Sequence, residues 1–238
     1  MPSRFDYQFP LKAVADQQIP GHFTEVSATA DLRNAFLRKV FGLVFLGLVF
    51  TAAGGYFGLT SGVSLEIMRH PLLAIGLYFG LFFGAQAGRH TAGLNLMLLA
   101  AFTGFTGVYL APLVAMAGPA AAGNALATTS AVFLGLSVYA SVTKHDFSFL
   151  GAFVFTAILA LVIGSLLNAF LLHSAAAQGA FAVVGCLIFS AAILFDVWRL
   201  SKTLSFDDPI AFALTLYLDF VNLFLYVLQL FSRRGSRS

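Results

Sequence analysis

The run FSFLGAFVFTAILALVIGSLLNAFLL, residues 147–172, contains 26 residues and no charged side chain. A helix needs about 20 consecutive apolar residues to cross the hydrocarbon core of a bilayer. An uncharged run of this length therefore predicts a membrane-spanning helix.

Similar apolar runs lie on both sides of this one, separated by short polar segments. Charged residues make up only 10% of the chain, against roughly 25% in soluble domains, which is too few to cover a soluble surface. We predict an all-α integral membrane protein whose membrane domain, residues 31–232, follows a polar and disordered tail, 1–30, and precedes a basic tail, 233–238. The seven predicted spans are 40–59, 71–88, 94–114, 125–142, 147–172, 180–200 and 209–231.

The distribution of basic residues predicts a cytoplasmic N-terminus. Positive side chains concentrate on the cytoplasmic side of membrane proteins. With the N-terminus inside, the tail and the inner loops carry nine Lys and Arg residues, whereas the outer loops carry only Arg69. The arginines at 233, 234 and 237 disagree, because they lie outside if the last segment crosses fully and inside if it is re-entrant.

Two of the ten acidic residues, Asp196 and Asp219, lie inside predicted spans. Each is about 12–15 Å from the turn that joins the last two spans, so the two should lie at similar heights. An ionised Asp at the centre of a span costs about 2.5–3.5 kcal/mol and usually has a function or a partner. Adjacent carboxylates would share a proton, and losing it would create an oxygen site for a cation such as calcium.

Purely structural partners for these carboxylates are also available in the sequence. Asp196 precedes Arg199 by three residues and can form an intrahelical ion pair. Asp219 precedes Asn222 by three residues, which allows a polar contact between packed helices. Arg89, at the end of the second span, can either anchor the helix at the membrane surface or reach an interior carboxylate as a latch.

Other patterns carry less chemistry. Glycines at 76, 80, 84 and 88 predict a groove for close approach of another helix. The five histidines have no zinc-ligand spacing, and no nucleophile motif or phosphate loop occurs. We therefore predict that the protein is not an enzyme, has no resident cofactor and binds no nucleic acid.

At the two carboxylates the sequence resembles the Bax-inhibitor family of membrane proteins, the transmembrane Bax-inhibitor-motif group, and in particular its bacterial members. The resemblance is strongest in Ile193-Leu-Phe-Asp196 and Leu216-Tyr-Leu-Asp-Phe-Val-Asn-Leu-Phe224. It implies a seven-helix bundle with the last helix near its centre, in the bacterial inner membrane. In the calcium-leak members, it further implies a di-aspartyl pH sensor at Asp196 and Asp219, with Arg89 as the latch.

A second branch of the same family also resembles this chain, in Leu32-Arg-Asn34 and Asp146-Phe-Ser-Phe-Leu-Gly151. Its members modulate a membrane-anchored AAA protease through a cytoplasmic N-terminal tail. Our first hypothesis is a pH-sensitive calcium or cation leak channel, supported by Asn222 and Arg199. The alternative is a modulator of such a protease, and proton-coupled transport through the same carboxylates is a third hypothesis.

Overall fold

The computed structural model describes residues 20–202 and 208–235. In lipid, backbone polar groups must bond within their own segment, which is why the apolar runs fold into helices. The described part of the chain contains a π-helical turn, Asn168–Leu172, and eight α-helices: α1 (Pro20–Ser61), α2 (Val63–Arg69), α3 (Pro71–Ala87), α4 (Leu94–Ala117), α5 (Pro119–Val142), α6 (Ser148–Leu167), α7 (Ala175–Lys202) and α8 (Pro209–Gly235).

Six of these segments are long and apolar enough to cross a membrane. The short helix α2 and helix α3 meet at a bend of 109° and together make a seventh candidate. The predicted all-α membrane fold is thereby confirmed. Helix α1 begins at Pro20, inside the segment predicted as a tail, and residues 1–19 lie outside the described part of the chain.

Helix α8 lies near the centre of the bundle, as predicted. It packs against α1, α4, α5 and α7, and several of its apolar side chains, including Leu214, Leu216 and Tyr217, have no solvent-exposed surface. Helix α6 is the opposite case, because Phe149, Phe153 and other large side chains along it are exposed. Such a surface suits contact with lipid.

The last segment crosses the bundle rather than returning. Its 27 residues form one continuous helix, about 40 Å long at the helical rise. Its first residues lie beside Arg89, and its last residues lie beside Ala175. We call these two sides of the bundle the Arg89 end and the Arg233 end.

Close packing of α1 on α4 depends on glycine. A Cβ atom added at Gly54 would overlap the carbonyl of Gly104, and one added at Gly107 would overlap the carbonyl of Thr51. The prediction that glycines 76, 80, 84 and 88 form a packing groove is wrong at two of the four positions. A Cβ atom added at Gly76 or Gly80 would have no atom of another described element within 4 Å. At positions 84 and 88, the neighbours from another helix are the leucines 98 and 94 of α4.

Candidate functional site

The structure brings Asp196 of α7 and Asp219 of α8 together inside the bundle. Both residues are buried, with 8% and 6% of their surface exposed. Their carboxyl groups are close enough to form a hydrogen bond when one of them is protonated. The two helices are joined by a short connection and run antiparallel, which puts the two residues at similar heights.

The two carboxyls have different surroundings. Asp196 Oδ1 lies 3.4 Å from Arg199 Nη2, and the Arg199 guanidinium reaches towards solvent. Asp219 Oδ2 is buried and has no hydrogen-bond partner among the described residues. One proton shared by the pair would remove one of two buried negative charges.

Arg199 is held in place by aromatic rings as well as by Asp196. Its guanidinium carbon lies 5.3 Å from the ring centre of Phe212 on α8 and 5.8 Å from that of Phe195 on α7. These are cation–π distances. The intrahelical ion pair that the sequence allowed is present, and it coexists with the pairing of the two aspartates.

Asn222 does not bond to Asp219 in this structure. Its side-chain amide donates to the Leu218 carbonyl of its own helix at 2.8 Å. The half-buried side chain also lines a cavity between α4, α7 and α8. Its supporting role in the site stays a prediction.

Arg89 pairs with Asp208 rather than with either buried aspartate. Its Nε atom lies 2.9 Å from Asp208 Oδ2 and 3.0 Å from His90 Nε2. The other oxygen of Asp208 accepts a hydrogen bond from the Ala211 amide at 3.1 Å and so caps the start of α8. Arg89 therefore fixes the end of α3 to the first turn of the helix that carries Asp219.

The sequence indicated where Asp208 would lie but not that it would pair with Arg89. Asp208 directly precedes Pro209, a pattern typical of a helix start, and the predicted topology already placed that start at the Arg89 end. Nothing in the sequence, however, ranks one exposed carboxylate above another as a partner for Arg89.

A hydrogen-bonded contact around Tyr217 was also missed. The Tyr217 hydroxyl lies 2.7 Å from Thr51 Oγ1. Thr51 also reaches the carbonyl oxygens of Thr103 at 3.0 Å and Gly47 at 2.9 Å. This contact joins α1, α4 and α8 two residues before Asp219.

The site offers calcium only a small part of a ligand shell. In the described ranges, no group of three or more His, Cys, Asp or Glu side chains is arranged to hold a metal ion. Calcium takes six to eight oxygen ligands. A cation at Asp196 and Asp219 would therefore keep much of its hydration, which suits passage better than tight binding.

Comparisons with known proteins agree with the resemblance seen in the motifs. The family model described as "Inhibitor of apoptosis-promoting Bax1" matches residues 33–236. Golgi anti-apoptotic protein of Vaccinia virus (strain Lister) is 35% identical over 208 residues, covering 86% of this chain and 87% of the viral protein.

Cellular relatives match over similar lengths. An uncharacterized protein of Campylobacter jejuni is 34% identical over 211 residues, or 86% of this chain and 90% of its own. Protein lifeguard 4 of Mus musculus is 33% identical over 228 residues, or 94% of this chain and 95% of its own. The chain therefore belongs to the Bax-inhibitor family of membrane proteins.

Proposed function

We propose that the protein is a pH-sensitive calcium or cation leak channel in which Asp196 and Asp219 form the proton sensor and part of the ion path. The observation that carries this proposal is the pairing of two buried carboxyls from neighbouring helices, one with an oxygen that has no hydrogen-bond partner among the described residues. The proposed activity is not enzymatic and needs no resident cofactor. The membrane would be the bacterial inner membrane, with the N-terminus in the cytoplasm.

The pH response follows from the charge on this pair. With one shared proton, the carboxyls hold α7 and α8 together by a hydrogen bond. Without it, two negative charges repel each other and attract a cation. Arg199 is the charged group that acts on the pair among the described residues, so it stabilises the ionised state.

The test is calcium flux into liposomes containing the purified protein, measured against pH. In the unmodified protein, titration of one proton should change the flux by at most about tenfold per pH unit. Asp196→Asn and Asp219→Asn should each remove this dependence of flux on pH. Glu66→Gln is a matched control, because it makes the same chemical change at an exposed carboxylate paired with Arg69. If both aspartate variants keep the flux and pH response of the unmodified protein, the proposal is wrong.

A second function, modulation of a membrane-anchored AAA protease, is supported by the length of α1. Its 42 residues extend about 63 Å, roughly twice the thickness of the hydrocarbon core. Its first turns therefore project from the bundle at the Arg89 end, where a partner protein can reach them.

The two functions can be separated by deleting residues 1–30. The modulator hypothesis expects altered turnover of membrane-protein substrates in cells, while calcium flux in liposomes stays the same. Unchanged turnover in cells, with the truncated protein present at normal levels, counts against it.

A further inference from the structure

Five polar side chains of α8 lie on one face of the helix. They are Asp219, Asn222, Tyr226, Gln229 and Arg233, at alternating spacings of three and four residues. Residues at this spacing share one side of a helix. Most of the other residues between positions 216 and 231 are apolar, so a polar line leads from the aspartate pair towards the Arg233 end.

A cavity of about 510 Å³ opens on this polar line, between α4, α7 and α8. Its floor includes Asn222, one helical turn from Asp219, and its upper part is lined by Gln178, Gln229 and Ser232. Leu113 and Met116 of α4 form part of the apolar wall. The lining is mixed, with polar side chains beside a larger apolar surface, and the space is large enough for more than ten water molecules at about 30 Å³ each.

Arg233 lies at the mouth of this cavity and bridges two helices. Its guanidinium donates to the Ala175 carbonyl and to Gln178 Oε1, 3.5 Å away, both on α7. Gly179 leaves room for it, since a Cβ atom at that position would overlap the guanidinium. Among the described residues that line the cavity, Arg233 is the one that carries a charge.

We propose that this cavity is a hydrated vestibule that gives solutes access to Asn222, and that Arg233 makes its mouth favour anions over cations. A guanidinium is always charged in proteins. In a cleft whose walls are partly apolar, and therefore of low dielectric, its field acts more strongly on a passing ion than it would in open water. Arg233 is thus a brake on cations that approach the aspartate pair from the Arg233 end.

This proposal goes beyond the proposed function, because charge selection at the mouth is measurable without any calcium flux. The test places a cysteine at Gln229 in a Cys186→Ala background, which removes the only native thiol. Modification rates are measured for a positively and a negatively charged methanethiosulfonate, each divided by its rate with a free thiol in solution. Leu216→Cys, fully buried away from the cavity, gives the rate of an inaccessible site.

We expect Gln229→Cys to react at least about tenfold faster than Leu216→Cys. The normalised rates should favour the anionic reagent by up to about tenfold, as expected for one nearby charge in a partly shielded site. Arg233→Gln should bring this ratio close to one, and Arg233→Lys should keep it.

Gly179→Ala provides a second variant that keeps the charge but displaces the guanidinium, so it should weaken the preference for the anionic reagent without removing Arg233.

A Gln229→Cys rate no greater than that of Leu216→Cys means that the cavity is closed or filled by lipid, and overturns the proposal of a hydrated vestibule. A ratio that is the same with Arg233 and with Gln at 233 overturns the role of Arg233. Calcium flux is a separate arm, in which Arg233→Gln raises the leak only if the proposed channel function is also right.

Discussion

Tyr217 illustrates what one polar side chain contributes within the bundle. It is fully buried, and its hydroxyl lies 2.7 Å from Thr51 Oγ1. Hydrogen bonds between membrane helices are worth about 0.6–1.7 kcal/mol. Tyr217→Phe should therefore lower the free energy of unfolding in detergent by about 1 kcal/mol, with a similar loss for Thr51→Val.

The double variant should lose less stability than the sum of the two single losses, because each substitution removes the same hydrogen bond. Tyr56→Phe is the control, because 75% of the surface of Tyr56 is exposed, and it should change the free energy of unfolding little. Equal effects at Tyr56 and Tyr217 would show that the buried contact adds nothing.

At the residue scale, the sequence could identify a functional candidate only where the residue type was unusual for its surroundings. Asp196 and Asp219 stood out because a charge within an apolar run is rare and costly. Thr51 did not stand out, since threonine is common in membrane helices and its value depends on Tyr217, 166 positions away. The partner of Arg89 was hidden for the same reason, because it follows from the packing of α3 beside the start of α8.

The contact between α1 and α4 depends on the absence of a side chain at Gly107. A methyl group there would overlap the Thr51 carbonyl, which is backbone and cannot move alone. Overpacking of this kind costs about 1–3 kcal/mol, so Gly107→Ala should lower stability by at least that amount. Unfolding in detergent gives the measurement.

Gly76→Ala is the matched control on α3, because its Cβ would have no atom of another described element within 4 Å. Alanine is also the better helix former by about 1 kcal/mol, so this variant should be neutral or slightly more stable. Equal losses at positions 76 and 107 would contradict the assigned packing. The sequence showed small residues in several helices but not which of them face a neighbour.

The ion pair between Arg89 and Asp208 connects α3 to the start of α8. Both side chains are partly exposed, so a double-mutant cycle should give a coupling of about 0.5–1 kcal/mol. Asp208→Asn removes the charge while keeping an oxygen that can cap α8. If Arg89 restrains the channel through Asp208, then Asp208→Asn and Arg89→Gln should raise calcium flux by the same factor.

The double variant should then give no further increase over either single one. Glu66→Gln again controls for loss of an acidic group. If Arg89→Gln alone changes the flux, Arg89 acts through some other group than Asp208.

At the scale of the whole molecule, the helix bundle was predictable because the lipid surroundings restrict the folds that the chain can adopt. Lipid requires helices of a fixed minimum length, and the seven apolar runs follow directly. The bend of 109° between α2 and α3 was not predictable, since it depends on how the short helix α2 packs against α1 and α4. The path of the last segment was open in the sequence and is settled by a continuous helix with its ends at opposite sides.

This path predicts the topology of the protein in a cell membrane. Among residues with described side chains, seven Lys and Arg positions lie towards the Arg89 end, namely 33, 38, 39, 89, 144, 199 and 202, whereas Arg69 and Arg233 lie towards the other. The positive-inside rule then puts the Arg89 end in the cytoplasm. A phosphatase reporter that works only after export should be active when fused after residue 235 and inactive when fused after His145.

A fluorescent reporter that folds only in the cytoplasm should give the reverse pattern at the same two positions. The arginines at the chain end would then lie outside, against the local charge bias, because the six preceding crossings and the packing of α8 outweigh three charges. An inactive phosphatase at both positions would mean that α8 does not cross. In that case Arg233 could not guard an outer vestibule, and the aspartate pair would be reached from the cytoplasm alone.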